Sequence, residues 1–89
     1  MANNITRSPW ILDTAAVILA DGVANRPKLI RWIGATTAAH RIVIEDGKGR
    51  VLFESKADGA NFTDVHVPSH DWNGFELAVI DSGILYVEL

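Results

Sequence analysis

The amino-acid sequence predicts an all-β protein: a single β-sandwich, of jelly-roll or immunoglobulin-like type, with about seven to eight short antiparallel strands. Three observations lead there. Apolar residues recur at alternate positions in short runs, as they do where a strand points successive side chains to opposite faces. Clusters of glycine, asparagine and aspartate separate those runs at roughly the 8 to 12 residue spacing of sandwiches and barrels. No segment keeps an apolar period of about 3.6 residues over three turns, so helices are not expected.

Taken in order, residues 1–9 are largely polar around Ile5 and end in Pro9, which restrains Ser8 to extended geometry. They read as an N-terminal arm, with the sandwich domain spanning 10–89. Trp10-Ile11-Leu12 is a short first strand. Ala16 to Ala20 is assigned to a strand although alanine favours helix, because Val17 and Ile18 are β-branched and Asp21-Gly22 closes the run. In Lys28 to Ile33, alternation puts Ile30 and Trp32 on one face and Leu29, Arg31 and Ile33 on the other, so both faces are partly covered. Arg41 to Glu45 and Arg50 to Ser55 flank Asp46-Gly47-Lys48-Gly49, whose glycines suit a tight hairpin turn. In the second arm of that hairpin, Val51 and Phe53 are expected to face the core, with Arg50, Leu52 and Glu54 opposite. Phe62 to Val67 and Phe75 to Ile80 fit strands, and Asp81-Ser82-Gly83 turns into Ile84 to Leu89, an expected second hairpin.

Composition narrows what such a chain can do. The 89 residues suit one domain, 48% of them are apolar and 21% charged, and the formal charge is −3, so the chain is expected to fold. At this size folding buries only roughly 60 to 65% of the surface that the unfolded chain exposes, which leaves a thin core. No dense Lys/Arg cluster is present, so nucleic acid is not an expected partner. Cysteine is absent, which excludes disulfides, thiolate metal sites and a Cys nucleophile. Ala15 to Ala20, bracketed by Asp13 and Asp21, is too short for a membrane span or a signal sequence, so synthesis in the cytoplasm without classical export is expected.

Reactive residues do not converge on a motif. His66 and His70 are separated by Pro68, and in extended chain they lie about 13 Å apart at ~3.3 Å per residue, too far to share a metal. His40 has no nucleophile elbow beside it. Acidic residues sit mostly at turns, where aspartate bonds its own backbone, and Gly47-Lys48-Gly49 belongs to a hairpin rather than a phosphate cradle. Catalytic, cofactor and metal sites are therefore not expected. Among the tryptophans, Trp32 alternates with Ile30 and belongs in the core. Trp10, after the arm, and Trp72, in His70-Asp71-Trp72-Asn73-Gly74, are either packing residues or exposed contacts. With Ile5 and Arg7 of the arm they are the candidate interface residues.

Four segments carry a resemblance: Ile5 to Thr14, Leu29 to Ala38 with its Trp32-Ile33-Gly34, the hairpin Ile42 to Val51, and Asp81-Ser82-Gly83-Ile84-Leu85-Tyr86-Val87. In this order they resemble small virion proteins of tailed bacteriophages, in which a Trp-hydrophobic-Gly strand end, an Asp-x-x-Gly hairpin and a terminal Ser-Gly-x-Leu-Tyr strand recur. The resemblance implies a capsid cement or decoration protein located in the virion, with the major capsid protein and copies of itself, as dimer or trimer, for partners. It implies no catalytic residue. A carbohydrate- or receptor-binding sandwich of a tail or fibre, with the loop around Trp72 as platform, is the alternative expectation.

Overall fold

A computed structural model describes residues 3–6 and 9–89. The described residues form eight strands and no helix: β1 Trp10–Leu12, β2 Ala16–Asn25, β3 Leu29–Ala35, β4 Arg41–Glu45, β5 Val51–Lys56, β6 Phe62–His66, β7 Trp72–Ile80 and β8 Ile84–Glu88. Strand pairing follows one rule. β1 pairs with β8, β2 with β7, β3 with β6 and β4 with β5, all antiparallel, so the chain is one long double-stranded ribbon folded at the β4–β5 turn. Rolling that ribbon up adds the lateral pairs β3–β8 and β4–β7. The result is two four-stranded sheets: sheet A, in the order β1-β8-β3-β6, and sheet B, in the order β2-β7-β4-β5. This is the strand order of a jelly roll, which selects between the two sandwich types that the sequence allowed.

Alternation fills the space between the sheets. Trp10 and Leu12 of β1, Ile30 and Trp32 of β3, Ile42 and Ile44 of β4, Phe75 and Leu77 of β7, and Leu85 and Val87 of β8 are all buried there. Each fully buried aliphatic or aromatic side chain contributes about 1.5 to 3 kcal/mol relative to exposure. The rings interlock edge to face: Phe75 meets Trp10 at 5.8 Å and 81°, and Phe62 meets Trp32 at 5.7 Å and 64°.

Three expectations are corrected. The final pair is not a hairpin: β7 lies in sheet B and β8 in sheet A, so Asp81-Ser82-Gly83 carries the chain from one sheet to the other. Gly83 makes that crossing possible, at φ +79°, and a Cβ there would stand 2.6 Å from the Ile33 carbonyl oxygen. Val51 does not face the core but is 57% exposed. The ladder pairs Ile44 with Phe53 but Glu45 with Val51, so Leu52 is an inserted bulge residue that turns Val51 outward and itself packs against the core. β2 runs past Asp21-Gly22 to Asn25, because the second of two register shifts against β7, between Leu19 and Ala24, absorbs the glycine within the strand.

Each of the four sheet edges is blunted. On β1, Asn4 folds back to pair with Ile11, its N–H donating to the Ile11 carbonyl at 2.8 Å and its carbonyl accepting from the Ile11 N–H at 2.9 Å. The Asn3 carboxamide oxygen accepts from the N–H groups of Asp13 and Thr14 at 2.9 and 3.0 Å. The described part of the expected arm is thus engaged with its own sheet. On β6, Asp64 points inward, accepts from the Ser55 hydroxyl at 2.6 Å and takes the Val65 N–H at 2.8 Å. β2 is bulged, and β5 exposes Glu54 and Lys56. Inward charges, bulges and edge charges are devices that stop a strand from templating another chain.

Candidate interaction surface

Because every edge is closed, the surfaces left for contact are the two outer sheet faces and the loop ends. On sheet A the outward positions are Ile11 of β1, Ile84, Tyr86 and Glu88 of β8, Leu29, Arg31 and Ile33 of β3, and Thr63 and Val65 of β6. The register sets Ile11, Tyr86, Arg31 and Val65 in one row across all four strands, with Ile84, Ile33 and Thr63 in the next. Val65 is 50% exposed, and Val67, just past the end of β6, is 62% exposed. An antiparallel sheet with one face in solvent usually carries polar side chains there. This one is apolar apart from Arg31, Glu88 and Thr63.

The two charges are held within the face. The Arg31 guanidinium lies 5.2 Å from the centre of the Tyr86 ring, and its Nε sits 3.3 Å from Glu88 Oε2. That ion pair lacks hydrogen-bond alignment, and Nε is a buried donor with no hydrogen-bond partner. A half-exposed pair of this kind contributes little stability, roughly 0 to 1 kcal/mol.

Sheet B presents a different outer face. Arg41, Glu45, Glu54, Lys56 and Glu76 share it with Val17, Val43, Val51 and Val79, of which Val17 and Val51 are 65% and 57% exposed. Arg41 Nη1 pairs with Glu54 Oε2 at 3.3 Å. Glu45 and Glu76 stand directly opposite each other, an unfavourable cross-strand pair.

Of the interface residues expected from sequence, Trp10 and Trp72 meet only inside the core, on either side of Phe75. Ile5 is 43% exposed, beside the Asn4 bridge, and Arg7 lies outside the described residues. Trp10 and Trp72 are buried, at 8% and 2% exposure, so they take the packing role and offer no open ring to a partner. Trp72 sits against Phe75 at 5.8 Å, and His66 lies between Phe53 and Trp72, at 4.9 and 6.4 Å. That stacking accounts for His66 as a packing residue between the two sheets.

One polar cluster ties the loops at the opposite end from the β4–β5 turn. His40 Nδ1 lies 2.8 Å from the Ser82 hydroxyl, which also accepts from the Thr36 N–H at 3.0 Å, and the Ser82 carbonyl accepts from Trp32 Nε1 at 2.8 Å. No carboxylate bonds the His40 ring among the described residues, and the arrangement clasps the β3–β4 loop to the β7–β8 crossing. The residues are 42 apart in sequence, and no local signal links them.

The β4–β5 end is built around two aspartates. Asp46 accepts from the N–H groups of Lys48 and Arg50 at 2.8 and 2.9 Å and from Arg50 Nε at 3.1 Å. The Arg50 N–H, ahead of that of Lys48 and the Arg50 charge, holds its carboxyl below the usual aspartate range against the opposing effect of burial. Asp21 accepts from Asn73 Nδ2 at 2.8 Å and pairs with Lys48 Nζ at 3.3 Å, and these bonds, Asn73 first, lower its pKa too. Gly47 fits because a Cβ there would collide with the Asp21 backbone. Between this turn and the segment His70 to Asn73 lies an open cleft of about 320 Å³, with Arg50 beside it and Trp72 in its wall.

Comparison with known proteins finds no matching family model, no matching curated protein and no matching solved structure.

Proposed function

We propose that this protein is a structural component of a phage virion, of the cement or decoration type, which binds and stabilises the capsid protein lattice by surface contact rather than chemistry. The observation that carries the reading is the apolar outer face of sheet A on a chain whose edges are closed. Such a face is covered in assembly, and a thin-cored domain gains buried surface when a lattice covers it. Strand addition to an edge is disfavoured by the blunting devices, so the contact works through side chains across a face. The resemblance of the four sequence segments to tailed-phage virion proteins supplies the biological setting.

The experiment is cosedimentation of the purified chain with particles that lack it. The expected result is saturable binding and a raised thermal-rupture temperature of the particle, both lost in Val65→Lys. Absence of binding overturns the reading.

A second reading, a carbohydrate-binding module of a tail or fibre, is favoured by the cleft beside Trp72. The buried ring weakens its stacking platform. Tryptophan fluorescence across a glycan panel tests it: a saturable shift abolished by Arg50→Ala supports it, and no response from any glycan excludes it from that panel.

A further inference from the structure

We propose that Asp58-Gly59, in the loop from β5 to β6, is the site at which this chain forms isoaspartate, and that the fold guards the other pairs of the same kind. The inference stands apart from the surface-contact reading above.

The sequence holds four pairs in which aspartate or asparagine precedes glycine: Asp21-Gly22, Asp46-Gly47, Asp58-Gly59 and Asn73-Gly74. Each carries the same latent reaction, because a glycine has no Cβ to keep its peptide nitrogen away from the side-chain carbonyl carbon before it. In an aspartate pair that nitrogen attacks Cγ and gives up its proton as the carboxyl gives up a hydroxyl, so one water leaves and a succinimide ring remains. A water molecule then reopens the ring. Breaking the bond from nitrogen to Cγ restores aspartate, and breaking the bond from nitrogen to the backbone carbonyl carbon leaves the main chain running through the side chain as isoaspartate, with no net change in atoms. In the asparagine pair ammonia leaves in place of the first water, and the products are aspartate and isoaspartate.

Three of the pairs are tied into one network. Asn73 Oδ1 accepts from the Gly22 N–H at 2.6 Å, Asn73 Nδ2 donates to Asp21 Oδ1 at 2.8 Å, and the Asn73 carbonyl accepts from the Gly47 N–H at 2.6 Å. Lys48 Nζ adds an ion pair to Asp21, and the Asp46 carboxylate takes the N–H groups of Lys48 and Arg50. The attacking nitrogens of Gly22 and Gly47 are therefore occupied and all three side chains are held by other partners, so reaction there waits on local opening. The bonds that lower the pKa of Asp21 and Asp46 also keep these groups ionised, and a carboxylate is a poorer electrophile than a carboxylic acid.

Asp58 has none of this. It is exposed in the loop between the ends of β5 and β6, and neither its carboxylate nor the Gly59 N–H makes a hydrogen bond among the described residues. A Cβ at Gly59 would meet nothing within 4 Å, so the pair has open space around it. The start of the loop is anchored: the Ala57 N–H donates to the His40 carbonyl and the Ala57 carbonyl accepts from the Ala39 N–H, both at 2.8 Å. The rearrangement is thus confined to a short loop and requires neither sheet to open.

The test is ageing of the full chain at mildly acidic pH and body temperature, followed by digestion with a protease that cleaves before aspartate but not before isoaspartate, and by fragmentation mass spectrometry. In the folded chain isoaspartate is expected at Asp58 at a rate about tenfold or more above that at Asp21 or Asp46, because hydrogen bonds must break first at the guarded pairs. Asn73 is expected to keep its amide. In guanidinium chloride the preference among the three aspartates is expected to vanish, and Asn73 to convert from amide to acid. Gly59→Ala, shown to be folded by circular dichroism, is expected to slow the reaction at Asp58 alone, and Asn73→Ala to speed it at Asp21. The comparison of folded with unfolded wild type decides without the variants if either fails to fold. A folded-state rate at Asp58 no greater than at Asp21 or Asp46, an Asn73 amide lost as fast in the folded chain as in the unfolded one, or a rate at Asp58 unmoved by a folded Gly59→Ala chain overturns the proposal.

Discussion

Sheets A and B share one core and have four strands each, yet their outer faces follow different rules. On sheet B, charged side chains from Arg41, Glu45, Glu54, Lys56 and Glu76 surround a valine cluster, as solvent requires. On sheet A, isoleucine, leucine, valine and tyrosine hold the same kind of positions, and the two charges are drawn together instead of spread out. The fold does not demand this, since inward alternation satisfies the core equally well in both sheets. What the difference teaches is that sheet B interleaves its outward valines with charges, whereas the outward rows of sheet A run apolar from strand to strand. That continuity is what supports the proposal that sheet A is the contact surface.

The largest expected effect lies beneath both faces and bounds the comparison. Phe75→Ala, which removes the ring touching both Trp10 and Trp72, is expected to cost about 3 to 5 kcal/mol in chemical denaturation, as is Trp72→Ala. A Trp72→Ala chain of unchanged stability would return that residue to the surface and undo its packing role. Next comes the loop end. Gly47→Ala forces a methyl group into the Asp21 backbone and is expected to destabilise by about 1 to 3 kcal/mol, read as a lower denaturation midpoint.

Sheet B is the face on which charge decides stability. Reversing one member of its like-charged pair, Glu76→Lys, is expected to stabilise the fold by about 0.2 to 1 kcal/mol at low salt, with the gain shrinking as salt is added. A comparable gain from adding a charge to sheet A would erase the distinction between the faces. The acid limb of stability sharpens the comparison at the turn. Asp46 and Asp21 have folded pKa values below their unfolded value of about 3.9, so they stabilise the fold above that pH. That contribution is lost as pH falls through the folded values. Asp46→Asn is expected to lower the melting temperature at neutral pH and to flatten its decline below about pH 4.

The smallest effect on stability carries the most meaning for function. Val65→Lys, at a position already half exposed, is expected to change the folding free energy by less than about 0.5 kcal/mol while removing association. If stability falls with association, the face is part of the fold and not a reserved surface.

Much of the fold was legible because alternation is local. The Ile30/Trp32 face, the Asp46 to Gly49 hairpin and the strand from Arg41 to Glu45 follow from neighbouring residues alone, and Leu29, Arg31 and Ile33 already hinted at a second covered face. Partner choice is not local. Whether Asp81-Ser82-Gly83 closes a hairpin or crosses between sheets depends on β8 finding β1 and β3, which no turn residue encodes. A single bulge at Leu52 inverted the expected facing of Val51, and Asn4 could not be seen to pair with Ile11 before β1 was known to be an edge. The candidate surface was missed for the same reason. Ile84 and Tyr86 join Leu29, Arg31 and Ile33 only once the register is fixed, although the apolar run Ile84 to Val87 was a signal that β8 carries apolar side chains on both faces.

The central claim is that the outer face of sheet A, and not that of sheet B, is the surface reserved for contact. Methyl NMR with a soluble paramagnetic agent tests it directly, recorded on the chain at low concentration and then in its assembled, particle-bound state. The account predicts that assembly shields the methyl groups of Ile11, Leu29, Ile33, Val65 and Ile84 while Val17 stays as accessible as before. Shielding of Val17 with sheet A left open to the agent would contradict it.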